Sequence, residues 1–427
     1  MKVLIVGGGG REHAIALKIK ENPEVTALYA TPGNGGIAQI ATCLPFKATD
    51  VDGIVRWAAE NKVDFVIVAP DDPLCLGMVD ALAAQGIPAF GPRKNAAIIE
   101  GSKVFSKNLM KKYGIPTAAY ETFDDYDAAV KYLQTADMPI VVKADGLALG
   151  KGVLICPDRE SAVEAVASMM KEAKFGASGA RVVIEEFLTG PEVSVLAFTD
   201  GKTVKPMVSS MDHKRALDHD EGLNTGGMGT IAPNPCYTPE LAQRCMDEIF
   251  LPTIAAMNAE GRTFTGCLYF GLMMTPKGPK VIEYNCRFGD PETQVVLPLL
   301  KSDLLTIMRA TVDGTLADTP VEFTSGAACC VVLASGGYPV SYKSGYPISG
   351  LDEAGKTATV FHAGTKLVDG QIVTAGGRVL GVTATADTLE AAIDKAYQAA
   401  DKITFTDMHM RRDIGQRALA SRKESHS

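Results

Sequence analysis

The sequence predicts a multidomain α/β and α+β protein, and three observations support this. The chain has 427 residues, more than one hydrophobic core usually organises. Its first hundred residues alternate short apolar runs with helical patterns, which is typical of a parallel sheet covered by helices. Longer strands follow, and short β segments with glycine turns precede one last helix. We expect an N-terminal doubly wound parallel-sheet domain (1–100), a central α+β domain (101–325) and a small C-terminal α+β domain (326–427).

The N-terminal pattern begins with the strand "KVLIV", a glycine turn and the helix "REHAIALKIKEN". The strand "VTALYA", the loop "TPGNGG", a second helix and the strand "DFVIVAP" come next. In the central domain, "PIVVKADGLALGKGVLIC" predicts two strands joined by a glycine loop. The region from about 117 to 190 is mostly local in its connections, so we expect it to move as a lid. Behind it, "EVSVLAFT", "GCLYFGLMMT" and "KVIEYN" predict longer strands.

Composition excludes several classes of protein. The 42 basic and 50 acidic residues give a net charge of −8, and the basic residues are scattered, so nucleic acid and membranes are poor partners. Nine cysteines with no CxxC pair predict neither a disulfide framework nor a zinc site. The only apolar stretch at the start is five residues long, too short for a signal peptide. We therefore expect a cytoplasmic protein.

The first glycine loop, "VGGGGREHA", joins the first strand to the first helix, where backbone N–H groups can meet a phosphate. The dinucleotide fingerprint fits badly, because its third glycine would fall on His13 or Glu12 and the second strand lacks the ribose-binding acid. A tight turn without any ligand is the alternative. We favour a phosphate on a small sugar.

The second glycine loop, "KADGLALGKGV", carries Gly146, Gly150 and Gly152 between two apolar strands, with Lys143 and Lys151. It is one residue too short for a Walker loop and has Gly152 where that loop needs Ser or Thr. It is either a flap that covers a triphosphate or an ordinary hairpin loop with solvated lysines. The loop alone leaves both open.

Two strand ends further along carry polar groups. "VIEEFLTGPE" can offer hinge carbonyls and amides to an adenine, with Glu192 accepting ribose hydroxyls. In "IEYNCRFGDPE", Glu283 and Asn285 are two residues apart on one strand, so their side chains share a face and can hold one hard cation. A solvated strand face is the alternative. Charge among apolar neighbours favours the cation, because ion binding offsets the cost of desolvation.

With these pieces in order, the sequence resembles the ATP-grasp superfamily and, within it, the phosphoribosylamine–glycine ligases. The resemblance runs end to end and is carried by "VGGGGREHA", "TPGNGG", "EGSKVFSK", "VVKADGLALGKGV", "VIEEFLTGPEVSVLAF", "DHKRALDHDEGLNTGGMGTIAP" and above all "RFGDPETQ". It implies an ATP-grasp core with a mobile lid. It also implies ATP-dependent ligation of glycine to 5-phosphoribosylamine through glycyl phosphate, in de novo purine biosynthesis.

The resemblance also implies roles for individual residues. Those expected to bind the nucleotide are Lys103, Lys143, Gly146, Gly150, Gly152, Glu185, Glu186, Leu188 and Glu192. Glu283 and Asn285 are expected to hold Mg²⁺ or Mn²⁺ bridging the terminal phosphates. Arg287 would face the γ-phosphate, and Asp290 would orient the incoming amine or Arg287.

The stretch "MDHKRALDHDEGLNTGGMG" is expected to meet glycine. Its Asp212 suits an ammonium group, and Lys214 or Arg215 suits a carboxylate. For His213 a structural hydrogen bond is favoured over catalysis, because no Ser or Cys partner is evident. The remaining predicted substrate contacts are Gly8, Gly9, Gly10, Arg11, Asn34, Gly35, Asp71, His213, Asn224, Gly226 and Gly227.

Two departures from the family pattern limit these assignments. The family reads Pro-Glu-x-Pro-Leu where this chain has "PDDPL", so the ribose contact of Asp71 is in doubt. The strand "CLYFGLMM" lacks an acid, which leaves the number of metal ions open. The competing functions are another ATP-grasp carboxylate–amine ligase, a biotin-type carboxylase, or a nucleotide-binding protein without turnover. We expect a monomer or weak dimer.

Overall fold

The computed structural model describes residues 1–148 and 151–424. Its N-terminal domain is a five-stranded parallel sheet in the order β3, β2, β1, β4, β5. The strands are β1 (Lys2–Gly7), β2 (Ala27–Pro32), β3 (Thr42–Cys43), β4 (Phe65–Val68) and β5 (Ala89–Phe90), and the helices are α1 (Gly10–Lys20), α2 (Val51–Glu60), α3 (Asp71–Cys75), α4 (Met78–Ala84) and α5 (Lys94–Gly101).

Strand β1 is buried on both faces. Leu4 and Val6 pack into one hydrophobic core with Ile54 of α2, whereas Ile5 packs into a second core with Ile15 of α1. Because successive side chains of a strand point to opposite faces, helices cover both sides of this sheet. The predicted doubly wound parallel-sheet domain is confirmed.

Helix α6 (Lys103–Tyr113) leads from this domain into the lid region. The Ser102 hydroxyl accepts a hydrogen bond from the Phe105 amide and caps the helix, and Gly114 ends it with a φ of 68°. The lid is an antiparallel sheet in the order β6, β9, β7, β8 with two helices. Its elements are β6 (Tyr120–Phe123), α7 (Tyr126–Leu133), β7 (Ile140–Ala144), β8 (Val153–Cys156), α8 (Arg159–Met170) and β9 (Val182–Glu186).

The lid has a hydrophobic core of its own, which runs from Ala129 to Ile184 and includes no buried residue from outside the lid among the described residues. The other three cores extend over larger parts of the chain. One joins Val66 of the N-terminal domain to Phe270, and another joins Ile5 to Phe288 and Phe361. The lid is therefore the unit that can change its orientation without breaking a shared core.

A four-stranded antiparallel sheet in the order β11, β10, β16, β17 faces the lid. The elements of this region are β10 (Glu192–Thr199), β11 (Val204–Pro206), β12 (Met211–Asp212), β13 (Arg215–Leu217), β14 (Glu221–Asn224), β15 (Gly229–Ala232), α9 (Pro239–Cys245), α10 (Leu251–Ala259), β16 (Gly266–Thr275), β17 (Gly278–Asn285), α11 (Thr293–Val296) and α12 (Leu304–Asp313). A π-helical turn, Met246–Phe250, joins α9 to α10. Pro252 follows it and has no N–H to donate to the preceding turn, which explains the widened turn.

The C-terminal domain is built on a sheet in the order β12, β15, β18, β22, β19, with β23 beside β18. Its elements are β18 (Ala327–Ser335), α13 (Leu351–Gly355), β19 (Thr359–His362), β20 (Thr365–Val368), β21 (Gln371–Thr374), β22 (Arg378–Ala386), α14 (Leu389–Ala400), β23 (Met408–His409) and α15 (Gln416–Glu424). Strands β12 and β15 come from the stretch that the sequence assigned to the central domain. The boundary at residue 325 therefore stays a prediction.

Short 3₁₀ turns complete the secondary structure of the described residues. They lie at Ile37–Gln39, Gly176–Gly179, Asp218–Asp220, Leu297–Leu299 and Leu316–Asp318. With the helices and strands above, they support the predicted multidomain α/β and α+β architecture.

Candidate active site

A cleft of about 990 Å³ lies between the lid sheet and the sheet of β16 and β17. Val153 lines it from the lid and Ile282 from the opposite sheet. Arg11 of the N-terminal domain and Arg378 of the C-terminal domain also line it, so all parts of the fold meet here. Most of the predicted site residues line this cleft, and they separate into two ends according to their charge.

At one end, Glu185 is buried between two lysines. Its carboxylate lies 2.9 Å from the Lys107 Nζ atom and forms a second ion pair with Lys143. Burial alone would raise the pKa of Glu185, but Lys143 and Lys107 hold it below its ordinary value. The side chain is thus a partner for cationic groups, and the adenosine contact at this position stays a prediction.

The residues after β9 form an edge of the same end. Leu188 lines the cleft together with Val141, Val153 and Met273, and we call these four apolar residues the apolar slot. In the described part of the chain, the backbone amide of Leu188 has no hydrogen-bond partner. Glu192 lies on the cleft wall with Oε2 3.9 Å from the Lys214 Nζ atom. Glu186 also lines the cleft.

The described residues of the second glycine loop border this end from the lid side. The Lys103 Nζ atom lies 3.0 Å from the carbonyl oxygen of Gly146, and the Gly146 amide donates to Ser178. Gly152 and the exposed Lys151 line the cleft. Gly146 itself does not, so it supports the loop rather than reaching into the cleft. The predicted contact at Gly150 lies outside the described residues.

Strand β17 carries the predicted cation ligands. Glu283 pairs with Gly271 across the sheet and Asn285 pairs with Tyr269, so both side chains lie on one face. The Asn285 Nδ2 atom donates to Glu100 at 3.0 Å, which leaves its Oδ1 atom as the free ligand. Burial alone would raise the pKa of the Glu283 carboxyl group, but Lys214, Lys143 and Lys103 lower it. An ionised carboxylate and an amide oxygen fit a hard cation.

Arg287 follows on the same segment and is held by Glu100. Its Nη2 atom lies 2.9 Å from the Glu100 carboxylate, and its Nη1 atom donates to the Phe288 carbonyl. Burial alone would lower the pKa of Arg287, but Glu100 and Asp71 raise it. Its Nε atom is buried and has no partner in the described residues. Asp71 lines the cleft nearby.

Asp290 lies against the first glycine loop and not against Arg287. It accepts hydrogen bonds from the Arg11 amide at 3.3 Å and the Gln294 side chain at 2.8 Å, and it lies 3.6 Å from Arg378. Burial alone would raise its pKa, but Arg378 and Arg11 lower it. The prediction that it orients Arg287 therefore finds no contact to support it.

The first glycine loop is more closed than the sequence predicted. The Gly9 amide donates to Glu12 at 2.7 Å, so it is not free for a phosphate. A side chain on Gly8 would meet Gly33, and one on Gly10 would meet Gln294. Of this loop only Arg11 lines the cleft. The amides of Gly9 and Arg11 are thus engaged within the protein, and the predicted phosphate contacts at Gly8, Gly9 and Gly10 stay predictions.

Asn34 and Gly35 tie the N-terminal domain to the C-terminal domain instead of lining the cleft. The Asn34 side chain donates to the carbonyl oxygens of Gly8 and His362, and the Gly35 amide donates to Thr365. A direct substrate contact at these two positions is not supported.

At the opposite end of the cleft, Asp212 and Glu292 crowd together with Tyr269. The Tyr269 hydroxyl donates to the Glu292 Oε1 atom at 3.3 Å, while the Oε2 atom is buried without a partner in the described residues. Burial and then Glu292 raise the pKa of Asp212 well above its ordinary value, and burial raises the pKa of Glu292. The charged groups that face this acid pair are Lys214, Arg287, Asp290 and Arg378.

Lys214 lies between the two ends, with its Nζ atom 3.7 Å from Glu283 and 3.9 Å from Glu192. Gly227 adopts a φ of 124°, and a side chain there would meet Asp212 within 2.6 Å, so only glycine allows this approach. Asn224, Gly226 and Arg215 also line the cleft.

His213 does not face the cleft. Its Nδ1 atom lies 3.1 Å from the Gly229 carbonyl, and its Nε2 atom accepts the Gly415 amide at 3.1 Å. These partners assign a neutral ring, and burial lowers its pKa to about 4. The predicted substrate contact at His213 is corrected to a structural role, because backbone groups occupy both ring nitrogens.

Sequence reasoning missed several residues of the cleft, among them Glu100, Glu292 and Arg378. Glu100 is the first residue of the quoted "EGSKVFSK", Glu292 lies within the quoted "RFGDPETQ", and Arg378 comes from β22. The Arg378 guanidinium donates to the Gly226 carbonyl and to the Asp290 carbonyl, both at 2.9 Å. The two glutamates lie within quoted stretches of the resemblance, which was the available signal, whereas no quoted stretch includes Arg378.

Three family models match the chain in order. They are phosphoribosylglycinamide synthetase, N domain, over residues 1–100, its ATP-grasp (A) domain over 101–293 and its C domain over 328–417. The chain belongs to the phosphoribosylglycinamide synthetase family. The fold and the superfamily predicted from the sequence are thereby confirmed.

Relatives within this family cover the whole chain. A phosphoribosylamine–glycine ligase from Halalkalibacterium halodurans is 48% identical over 425 residues, covering 100% of this chain and 99% of its own. One from Vibrio cholerae is 47% identical, covering 98% and 99%. The crystal structure of a phosphoribosylamine–glycine ligase from Thermotoga maritima superimposes with a TM-score of 0.86 at 34% identity, covering 97% and 100%.

A more distant structure shows the fold alone. A biotin carboxylase–β,γ-ATP complex from Campylobacter jejuni has a TM-score of 0.73 at 15% identity, covering 96% of this chain and 92% of its own. Over residues 1–148 and 151–424, no helix combines the length and apolar character that crossing a membrane requires.

Proposed function

We propose that the chain joins glycine to 5-phosphoribosylamine at the expense of ATP, giving glycinamide ribonucleotide, ADP and phosphate. This is a step of purine biosynthesis. The observation that carries the proposal is the cleft itself: a cationic end with an apolar slot and an acidic end with an unpartnered oxygen lie on either side of Glu283, Asn285 and Arg287. The arrangement suits a polyphosphate at one end and an ammonium group at the other.

The cationic end suits ATP. The apolar slot takes the adenine, and the free Leu188 amide offers it a hydrogen bond. Lys103 and Lys143 lie where the phosphates would run, and Lys151 and Gly152 line the same cleft. Glu186, Glu192 and Gly152 border the same end. Such positioning and charge neutralisation are the main means of catalysing phosphoryl transfer.

Glu283 and Asn285 are the proposed ligands for Mg²⁺ or Mn²⁺. Among the described residues no group of three or more His, Cys, Asp or Glu side chains is arranged to hold an ion alone. This agrees with a cation that takes its remaining ligands from substrate phosphates and water, as Mg²⁺ usually does. When bound, the cation would neutralise charge on the transferring phosphoryl group.

The acidic end suits glycine. Asp212 and the free Glu292 Oε2 atom can accept the ammonium group, while Lys214 and Arg287 face the carboxylate that receives the phosphoryl group. Arg287 can then stabilise the glycyl phosphate through its free Nε atom. The amine of phosphoribosylamine displaces phosphate from that intermediate.

The wall formed by Arg11, Asp290 and Arg378 is the proposed place for phosphoribosylamine. Arg11 and Arg378 suit its phosphate, and the Asp290 carboxylate suits its amine or hydroxyl groups. Asp71, Arg215, Asn224, Gly226 and Gly227 are further proposed contacts. All nine cysteines are free thiols, which fits a reducing cytoplasm, and we propose a monomer or weak dimer.

The test is phosphate release from ATP with glycine and freshly made phosphoribosylamine, each omitted in turn. Release that needs both substrates, with formation of glycinamide ribonucleotide by mass spectrometry, supports the proposal. Release that depends on bicarbonate, or on another acid and amine, would assign a different ATP-grasp reaction. ATP binding without any release would leave a nucleotide-binding protein.

A further inference from the structure

Glu100 is a buried carboxylate at the C-terminal end of α5, only 7% exposed, and it has no part in the reaction outlined above. It reaches from the N-terminal domain to the end of β17 and receives three hydrogen bonds there. The donors are the Asn285 side-chain amide at 3.0 Å, the Cys286 backbone amide at 2.7 Å and the Arg287 guanidinium at 2.9 Å. One carboxylate thus contacts three consecutive residues of the proposed centre.

The contact with Asn285 decides which way its amide faces. A side-chain amide has one acceptor oxygen and one donor nitrogen, and only the oxygen can bind a cation. If the group turned over, its oxygen would face the Glu100 carboxylate and its NH₂ group would face the cation. Both contacts would be repulsive, so Glu100 holds the Oδ1 atom toward Glu283.

The contact with Arg287 fixes the guanidinium from one side. Glu100 binds its Nη2 atom and the Phe288 carbonyl binds its Nη1 atom, while the Nε atom keeps no partner among the described residues. A planar guanidinium held at two nitrogens cannot rotate. The free Nε–H group is therefore presented in one fixed direction.

We propose that Glu100 is a positioning residue that orients Asn285 toward the cation and Arg287 toward the transferring phosphoryl group. This rests on the proposed function, because it assumes that these two residues act on metal and phosphate. Groups that orient metal ligands typically contribute about 10- to 100-fold to metal affinity or activity when removed. Glu100 acts across a domain boundary, since it is 185 residues from Asn285.

Glu100→Gln tests the proposal. Glutamine keeps the volume but removes the negative charge from all three contacts. It also turns one acceptor into a donor, which must face either the Cys286 amide or the Asn285 and Arg287 donors. Mn²⁺ binding is titrated by water-proton relaxation, with a non-hydrolysable ATP analogue present. We expect binding about 10- to 100-fold weaker and kcat reduced by a similar factor. Glu260→Gln is the matched control, because it removes the ion pair with Lys112 away from the cleft and should leave both values unchanged.

A double variant separates positioning from simple stabilisation of the fold. If Glu100 acts through Asn285, then Glu100→Gln should weaken Mn²⁺ binding by less than about twofold in an Asn285→Ala background. The same factor in both backgrounds would overturn positioning through Asn285. Mn²⁺ affinity within twofold of the wild type in folded Glu100→Gln would overturn the proposal altogether.

A second variant and a binding measurement without turnover separate the Glu100 proposal from a folding failure and from a failure of the proposed reaction. Glu100→Asp keeps the charge but draws the carboxylate back by one methylene, and we expect it to fold and to weaken Mn²⁺ binding, so a folding failure of Glu100→Gln still leaves a test. Mn²⁺ binding is measured without turnover. A wild-type chain that binds Mn²⁺ and nucleotide but forms no glycinamide ribonucleotide would refute the proposed reaction, while the Glu100 comparison would still be decided.

Discussion

The pKa values of buried carboxylates are shifted in opposite directions at the two ends of the cleft. At the cationic end Glu185 lies between Lys107 and Lys143, which lower its pKa. At the acidic end Asp212 and Glu292 lie together, and both have a raised pKa. The first carboxylate is already neutralised by the protein, whereas the second pair carries an oxygen with no partner among the described residues.

This difference shows at which end the buried carboxylate is already paired within the protein before substrates bind. Two lysines around one carboxylate leave a net positive charge, which attracts phosphate without exposing an unpaired acid. Two crowded acids whose pKa values are raised favour an incoming cation, and an ammonium group supplies one. We infer that the ends differ in which variants destabilise the fold and which impair substrate binding.

The largest effect should come from Glu283, which lies between the cationic end and the acidic end of the cleft. Glu283→Ala removes a proposed cation ligand but little core volume, so we expect kcat to fall about 10³-fold, since a bound cation contributes several kcal/mol. Phosphate release measures the rate, and circular dichroism checks the fold. A rate near that of the wild type would show that the two ends do not cooperate through this residue.

Glu185→Gln should mainly destabilise the fold. It leaves Lys107 and Lys143 buried without a carboxylate, and breaking a buried ion pair costs about 3 to 5 kcal/mol. Urea unfolding followed by fluorescence gives the free energy of unfolding. Glu121→Gln on the neighbouring strand β6 is the control, because that carboxylate is exposed. Equal stability of the two variants would contradict the role of Glu185 as the partner of both lysines.

Glu292→Gln should do the reverse. It removes one of two crowded acids, so the free energy of unfolding should stay the same or rise. The KM for glycine should increase about 10-fold or more, because a hydrogen bond to a charged group contributes about 1.5 to 3 kcal/mol. The KM for ATP is the internal control and should not change. A fall in the free energy of unfolding with an unchanged KM for glycine would show that Glu292, like Glu185, stabilises the fold and does not bind substrate.

The smallest effect concerns pH. Asp212 and Glu292 have a raised pKa in the folded chain, so above the ordinary carboxyl range the folded state holds more protons than the unfolded state. Stability from this pair therefore falls as the pH rises toward the raised pKa values. Urea unfolding at a series of pH values above about 5 should show this slope in the wild type and a shallower one in Glu292→Gln. Identical slopes in the wild type and in Glu292→Gln would contradict a contribution of this acid pair to the pH dependence of stability.

Local patterns predicted the parts of the site that lie on one element. The spacing of Glu283 and Asn285 gave their common face, and the strand "EVSVLAFT" matches β10 residue for residue. The glycine loop between β7 and β8 was also predicted. These features depend on strand periodicity and turn residues, which neighbouring positions determine.

Contacts between distant segments could not be predicted in the same way. Glu100 and Arg378 reach the cleft because distant segments pack there, and local periodicity around either residue does not predict its partner. The same limit applies to the first glycine loop, in which the Gly9 amide donates to Glu12 and the Arg11 amide to Asp290. His213 was named as a substrate contact, yet its ring nitrogens bond to backbone groups on β15 and at Gly415.

The sheet that unites β12 and β15 with β18 also affects how the chain emerges from the ribosome. Strand β15 ends at Ala232, but its partner β18 begins only at Ala327. At 5 to 20 residues per second, roughly a hundred residues take about 5 to 20 seconds to synthesise. During that interval β15 cannot pair with β18, and an unpaired strand edge can form hydrogen bonds with other chains. Slow translation of this stretch should therefore favour aggregation during synthesis.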